Sequence, residues 1–205
     1  MATTFEQDIG TPALLVHLRP VFEMTDDKFE EFCRINRDLR IEMTAEGDLI
    51  IMPPTFGRTG NRNLKLTQQV ANWSDKDGTG VGFDSSTLFK LPNGAKRSPD
   101  ASWIKRSRLA VLTEEEKDKF LPLCPDFVIE LRSTSDSLSE LQAKMQEYSA
   151  NGTELGWLID PQGKQVFVYR ADNSVEQLND PQTVTGDPVL AGFVLNLNSV
   201  WEADF

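Results

Sequence analysis

Histidine and cysteine are nearly absent from this chain of 205 residues, which has one histidine, His17, and two cysteines, Cys33 and Cys124. A single histidine excludes zinc centres that are built from clusters of histidines. The two cysteines share no spacing motif, so we expect both to be reduced side chains in the protein interior. Cysteine usage of this kind is typical of a cytoplasmic protein.

Long apolar runs are also missing. No stretch approaches the ~20 apolar residues that a membrane-spanning helix requires. The first ten residues lack the basic region and apolar stretch of a secretory signal. The sequence also lacks the phosphate-binding loop of nucleotide hydrolases. We therefore expect a cytoplasmic protein that has no membrane partner and does not hydrolyse nucleotides.

Positive charge is scarce, with 21 basic against 32 acidic residues and a net charge of −11. This balance argues against a protein that coats nucleic acid non-specifically. Two segments are basic nevertheless: residues 57–66 carry +3 and residues 90–108 carry +5, so the remainder carries −19, the difference between −11 and +8. Such segments are compatible with local phosphate contact, and solvated loops would explain them as well.

Composition and periodicity predict a mixed α/β protein. Apolar residues make up 39% and charged residues 26% of the chain, which is ordinary for a globular protein. We expect a weakly patterned lead-in over residues 1–24 and a single domain over residues 25–205. Helical patterns cover residues 25–37, 61–73, 113–119 and 137–150, while strand patterns cover residues 39–43, 49–52, 80–84, 87–91, 100–104, 126–132, 154–159, 165–170 and 193–197. This order favours a central mixed β-sheet flanked by helices.

Two of the predicted helices carry a detailed expectation. In the helix over 61–73, one face would hold the apolar side chains and one threonine, which are Leu64, Thr67, Val70 and Ala71. In the helix over 137–150, Ser137 and Glu140 match a capping box. A single stripe of this second helix would pack on the sheet through Leu138, Leu141, Met145 and Tyr148.

Glu130 lies in a strand that is apolar on both faces, which predicts a central position in the sheet. A carboxylate in that environment is unfavourable unless it is paired or bound to a cation. Asp100 opens its own strand directly after Ser98 and Pro99. Two carboxylates on adjacent strand ends could share a hard cation such as Mg²⁺. The alternative is that Glu130 pairs with Arg132 or a nearby lysine.

An aspartate after a proline, followed thirty positions later by a glutamate in an apolar strand and then by a helix, resembles the PD-(D/E)XK nuclease pattern. The wider segments LRIEMTAEGDLIIMPP, GNRN, SSTLFKLPNGAKRSPDASW, CPDFVIELRSTSDSL, KMQEY and LGWLIDP resemble a family of restriction-endonuclease-like proteins that is abundant in cyanobacteria and was formerly a domain of unknown function. The resemblance covers residues 25–197. It implies a restriction-endonuclease-like fold, a Mg²⁺ or Mn²⁺ cofactor and cleavage of DNA, without indicating a target.

The resemblance assigns roles to individual residues. Asp100 and Glu130 match the motif acids, and the backbone carbonyl of Leu131 would be a further metal ligand. Where the motif has a lysine, this chain has Arg132, which keeps its proton and cannot act as a base, although it can stabilise phosphate charge. Lys144 of the next helix is the best substitute, unless it lies along the surface of the protein with its ammonium in solvent.

A third acid, Glu42, matches an early glutamate of the family and could complete the catalytic group, or it could be a solvated strand residue. Asn61, Arg62 and Asn63 stand at a predicted helix start, where amide donors can meet a phosphate. The residues that we expect to contact nucleic acid are Arg62, Lys96, Arg97 and Arg132.

Two functions remain open at this stage. The first is a Mg²⁺-dependent endonuclease that hydrolyses DNA phosphodiester bonds, acting through Asp100, Glu130, Lys144 and Glu42. The second is a non-catalytic module with the same fold that binds nucleic acid or a protein partner, which the acidic composition and Arg132 favour. We also expect a homodimer, because cutting both strands of a duplex requires two sites and two-fold pairing is the commonest assembly.

Overall fold

A computed structural model of the protein describes residues 12–203. Its helices are α1 (Asp26–Ile35), α2 (Gly57–Asp77), α3 (Arg106–Leu109), α4 (Glu114–Lys117), α5 (Leu138–Ala150) and α6 (Asn198–Trp201). Its strands are β1 (Leu14–Val16), β2 (Arg40–Met43), β3 (Leu49–Met52), β4 (Gly80–Asp84), β5 (Phe89–Lys90), β6 (Lys96–Arg97), β7 (Ala101–Lys105), β8 (Phe127–Leu131), β9 (Leu155–Asp160), β10 (Gln165–Arg170), β11 (Val175–Asn179), β12 (Thr183–Thr185) and β13 (Val194–Asn196).

The larger sheet has six strands in the order β11-β10-β9-β8-β7-β4. Strands β8 and β9 are parallel and are joined through α5, whereas the other neighbours are antiparallel. All five residues of β8 are buried, as the two-faced apolar pattern predicts. The mixed sheet flanked by helices confirms the predicted fold class.

Helices cover both faces of this sheet. On one face, Leu66 and Val70 of α2 belong to the same apolar core as Phe127 and Ile129 of β8. On the other face, Met145 and Tyr148 of α5 are fully buried against Val128 and Leu158, and Leu138 and Leu141 pack partly buried at the same core. The α5 stripe is therefore confirmed. Because alternate residues of β8 point to opposite faces, Glu130 lies on the α5 side.

The smaller sheet has the order β1-β3-β2-β6-β5. Residues 14–16, inside the segment expected to be a lead-in, form its edge strand and pair with β3. Strand β2 pairs with β3 along its length and with β6 at Met43 and Lys96. This sheet carries two residues that the sequence analysis singled out, Glu42 on β2 and Arg97 on β6.

Two local expectations are wrong. Helix α2 extends about a turn beyond the prediction at each end, and its buried residues are Leu66, Val70 and Ser74, while Leu64 is 64% exposed. These buried residues are spaced i, i+4 and i+8. Because the last of them is a serine, the spacing of apolar residues alone does not mark this face. The Ser137 capping box does not form either, because the Ser137 hydroxyl contacts Ser139 Oγ at 2.9 Å instead of the helix backbone.

None of the helices between residues 12 and 203 has the length and apolar character that crossing a membrane would require.

Candidate active site

Asp100 directly precedes β7 and lies beside the end of β8, the strand that contains Glu130. Ala101 pairs with Ile129, so Asp100 lies next to Glu130 and Leu131 across the ladder. Asp100 Oδ2 accepts a hydrogen bond of 2.8 Å from the backbone N–H of Leu131, and Oδ1 accepts one of 3.0 Å from Asn63 Nδ2 of α2. The aspartate is therefore held by both a strand and a helix.

Lys144 of α5 bridges two carboxylates. Its Nζ lies 2.8 Å from Glu130 Oε1 and 2.9 Å from Glu42 Oε1. Tyr148, one turn later on α5, donates a hydrogen bond of 3.0 Å to the same Glu130 oxygen. The structure thus brings together Glu42, Glu130 and Lys144 from three separate elements, with Asp100 alongside.

Glu42 is 2% exposed and is not a solvated strand residue. Besides Lys144, it accepts a hydrogen bond of 2.9 Å from the backbone N–H of Ser98 and one of 3.2 Å from Arg97 Nη1. Burial opposes its ionisation, but Lys144, Arg97 and the Ser98 N–H together hold its pKa below the ordinary value. Glu42 therefore keeps its negative charge.

The other two acids have raised pKa values. The pKa of Glu130 is raised to about 7, mainly by burial and also by the charges of Asp100 and Glu42, against the opposing charge of Lys144. Burial raises the pKa of Asp100 against the hydrogen bond from Leu131. Burial would lower the pKa of Lys144, yet Glu130 and Glu42 hold it above the ordinary value. The lysine is thus protonated beside these two carboxylates.

The oxygen atoms at this point suit a hard divalent cation. Glu130 Oε2 has no hydrogen-bond partner within residues 12–203, whereas Tyr148 donates to Oε1 and Lys144 lies nearest to Oε1. The Leu131 N–H donates to Asp100 and the Arg132 N–H bonds toward β9, so the Leu131 carbonyl points to the Asp100 side of β8.

Asn63 Oδ1 is a further oxygen at this point, because it is buried beside Asp100 and has no hydrogen-bond donor in the described part of the chain. In the described part of the chain, no three acidic, histidine or cysteine side chains surround a single point. Asp100, Glu130 and the Leu131 carbonyl would therefore hold an ion together with water molecules, which is the ligand set that Mg²⁺ prefers.

The four basic residues that were expected to contact nucleic acid differ in placement. Lys96 is 1% exposed and lies 2.8 Å from Asp26 of α1. Arg97 is 8% exposed and lies between two glutamates. Burial of both side chains argues against phosphate contact, and the partners that bury them come from distant segments of the sequence.

The other two basic residues, Arg132 and Arg62, are only partly buried. Arg132 Nη1 pairs with Asp160 at 2.9 Å, so Glu130 has Lys144 and not Arg132 as its ion-pair partner. Arg62 Nε donates a hydrogen bond of 2.7 Å to the Val200 carbonyl. Both keep guanidinium donors that these contacts do not use.

Two contacts of the site had no clear signal in the sequence. Asn63 was expected to meet a phosphate as part of a helix start, whereas it donates to Asp100. Tyr148 was expected only as a member of an apolar stripe, whereas its hydroxyl donates to Glu130. A hydroxyl within a buried helix stripe is the one feature that could have indicated this second role.

Comparison with known proteins identifies the family and the fold. The sequence model of the Uma2 family, described as "putative restriction endonuclease", matches residues 26–198. The crystal structure of a protein from Anabaena variabilis, described as a putative nuclease belonging to DUF820, superposes with a TM-score of 0.67 at 21% sequence identity, covering 78% of this chain and 89% of that chain. Among curated proteins, none matches significantly. The fold is therefore restriction-endonuclease-like, and the chain belongs to the Uma2 family of putative restriction endonucleases.

Proposed function

We propose that the protein is an endonuclease that hydrolyses DNA phosphodiester bonds and depends on Mg²⁺ or Mn²⁺. The observation that supports this most is the placement of Lys144 between Glu42 and Glu130, beside Asp100, at the end of two paired strands. Paired acids with raised pKa values and one fixed cation form a group suited to binding a metal and a phosphate diester.

Each residue has a defined role in this proposal. Asp100, Glu130 and the Leu131 carbonyl would hold the cation, which when bound supplies positive charge for the phosphate and lowers the pKa of a water molecule. Lys144 stays protonated, so it orients the attacking water or a phosphate oxygen through its third N–H. Glu42 would keep Lys144 in place, and Tyr148 would hold Glu130 by Oε1, which leaves Oε2 available as a ligand.

The wider assembly is part of the same proposal. Arg62 and Arg132 are the basic residues that we assign to DNA phosphates, since both are only partly buried. The protein would act in the cytoplasm, in agreement with the free thiols Cys33 and Cys124. It would act as a homodimer, so that each strand of the duplex meets one site. Light scattering at micromolar concentration tests the homodimer, and a monomer mass would contradict it.

A second candidate is a non-catalytic module that binds nucleic acid or a protein partner. Lys144 favours it, because its ammonium neutralises two acids at once without a metal. Arg132, at the motif position of lysine, favours it as well. In this case, the buried ion pairs would serve the fold alone.

Cleavage of supercoiled plasmid separates the two candidates. The protein is incubated with Mg²⁺, with Mn²⁺ or with a chelator, alongside Asp100→Ala and Lys144→Met. A matched control is Glu140→Gln, which removes an exposed charge from α5. We expect metal-dependent nicking by the wild type and the control only. Absence of nicking by the wild type with either metal would favour the binding module.

A further inference from the structure

Arg97 is a buried arginine that joins two glutamates from different parts of the fold. Its Nη1 lies 3.2 Å from Glu42 Oε2, and its Nε lies 2.5 Å from Glu147 Oε2. The arginine comes from β6 of the smaller sheet, Glu42 comes from the neighbouring strand β2, and Glu147 comes from α5. Arg97 therefore links the smaller sheet to the helix that carries Lys144.

The position of Glu147 gives this link its significance. It follows Lys144 by three residues, so the two side chains leave α5 on neighbouring lines of the helix surface. Glu147 Oε1 also accepts a hydrogen bond of 3.0 Å from Asn93 Nδ2, and the Asn93 N–H binds Asn151 at the end of α5. Asn93 and Arg97 thus fix this end of α5 to the smaller sheet. Of these two residues, Arg97 is the one that also contacts Glu42.

We propose that Arg97 is a positioning residue for Lys144. The proposal rests on the proposed nuclease function, because it gives Arg97 a role in the same site. Glu42 and Glu130 compete for one ammonium group, and Arg97 supplies the second positive charge that Glu42 requires. With Glu42 neutralised from its other oxygen, Lys144 stays shared with Glu130 instead of moving toward Glu42.

The guanidinium geometry is essential for this role. A planar fork donates to two carboxylates at once in fixed directions, whereas a lysine is a single point of charge on a flexible chain. Arg97→Lys therefore keeps the net charge of the site but cannot hold Glu42 and Glu147 together. Since Arg97 is 8% exposed and its Nε and Nη1 are paired with glutamates, its effect on DNA is indirect.

Steady-state kinetics test this role with Arg97→Lys and a matched control, Arg108→Lys. Arg108 also pairs with a buried carboxylate, Asp126, at 3.0 Å, but at the opposite end of β7. We expect Arg97→Lys to lower kcat at least about tenfold with KM within about twofold, because an interaction that matters only in the transition state is weakened. The control should keep both constants.

The salt dependence of KM distinguishes positioning from phosphate contact. If Arg97 met a phosphate, Arg97→Lys would raise KM and reduce the slope of log KM against log salt by up to about one. We expect an unchanged slope. An altered slope, or a kcat equal to that of the control, would overturn the proposal.

A second measurement does not depend on cleavage. Urea unfolding of Arg97→Lys, Lys144→Met and the double variant forms a thermodynamic cycle. If Arg97 positions Lys144 through Glu42, then Arg97→Lys has no lysine left to misplace once Lys144 is replaced. The double variant should therefore lose less stability than the sum of the losses of the two single variants. Strict additivity would overturn the positioning role. If the wild type cleaves no DNA, the proposed function fails while this cycle still decides whether Arg97 acts on Lys144.

Discussion

Glu130 shows how much of this site depends on a single side chain. It lies in β8, all five residues of which are buried, and an isolated charge is unfavourable there. Lys144 and Tyr148 both contact one of its oxygens, and the other has no hydrogen-bond donor within residues 12–203. The proposed metal site depends on this second oxygen.

Glu130→Gln should abolish stabilisation by metal. A cation that binds only the folded protein stabilises it by about 2.7 kcal/mol at a hundredfold excess over its Kd. The glutamine keeps the shape of the side chain but not its charge. We expect millimolar Mg²⁺ or Mn²⁺ to raise the Tm of the wild type, measured by scanning calorimetry, and not that of the variant. The metal-free variant should be as stable as the wild type or more so.

The control for this measurement is Glu140→Gln, an exposed glutamate of the same helix, which should keep the full metal response. A wild-type Tm that does not respond to either metal, or a response that Glu130→Gln retains in full, would mean that these carboxylates are structural.

The raised pKa of Glu130 also predicts how stability depends on pH. Its pKa of about 7 in the folded protein exceeds the ordinary 4.5, so between these values the folded form binds more protons than the unfolded chain. Stability then falls as pH rises. In chelator, the free energy of unfolding of the wild type relative to Glu130→Gln should fall between about pH 4.5 and about 7 and stay level above. A level difference throughout would contradict the raised pKa.

At the scale of elements, the sequence predicts what local periodicity determines. Strand β8 and the α5 stripe were predicted because apolar spacing alone defines them. The resemblance offered Lys144 as the substitute for the motif lysine, and the structure places it against Glu130 and not along the surface. Of the buried face of α2 only Val70 was predicted, since Leu66 and Ser74 lie outside the predicted stripe. The burial of Arg97 was not predicted either, because its partners Glu42 and Glu147 are about fifty residues away on each side.

Packing between β4 and β7 gives a prediction at the same scale. A Cβ atom at Gly80 would overlap the indole of Trp103 and lie 2.5 Å from the Ile104 carbonyl oxygen, whereas Gly60 of α2 has no atom within 4 Å of such a Cβ. Overpacking of this kind costs about 1–3 kcal/mol. Gly60→Ala should instead stabilise α2 by about 0.5–1 kcal/mol.

Urea unfolding of Gly80→Ala and Gly60→Ala measures both effects. The two variants should shift the unfolding midpoint in opposite directions. Equal shifts would show that the close approach of β4 to Trp103 imposes no constraint on the fold.

At the scale of the whole molecule, the candidate site is acidic in an already acidic protein of net charge −11. Lys96 and Arg97, which lie in the more basic of the two segments, are buried and paired with acids. Without metal, the carboxylates therefore repel a phosphate backbone, and the free protein should bind DNA weakly. A bound cation would reverse this local charge, so the same ion would serve both affinity and chemistry.

Removing one of these charges should therefore strengthen DNA binding in the absence of metal. In Asp100→Asn, the carboxamide oxygen can still accept from the Leu131 N–H, and the new amino group can donate to Asn63 Oδ1 once the Asn63 amide turns over, so the fold should tolerate the change. A unit charge about 4 Å from a phosphate contributes about 1 kcal/mol in water, or about fivefold in Kd. Fluorescence anisotropy with a labelled duplex, in chelator and at low fixed salt to limit screening, measures the gain.

Glu176→Gln, on the exposed edge strand β11, removes an equal charge elsewhere and should leave Kd nearly unchanged. An equal Kd for both variants would mean that DNA does not approach the Asp100 site, and the proposed substrate would then be wrong even if the site binds a metal.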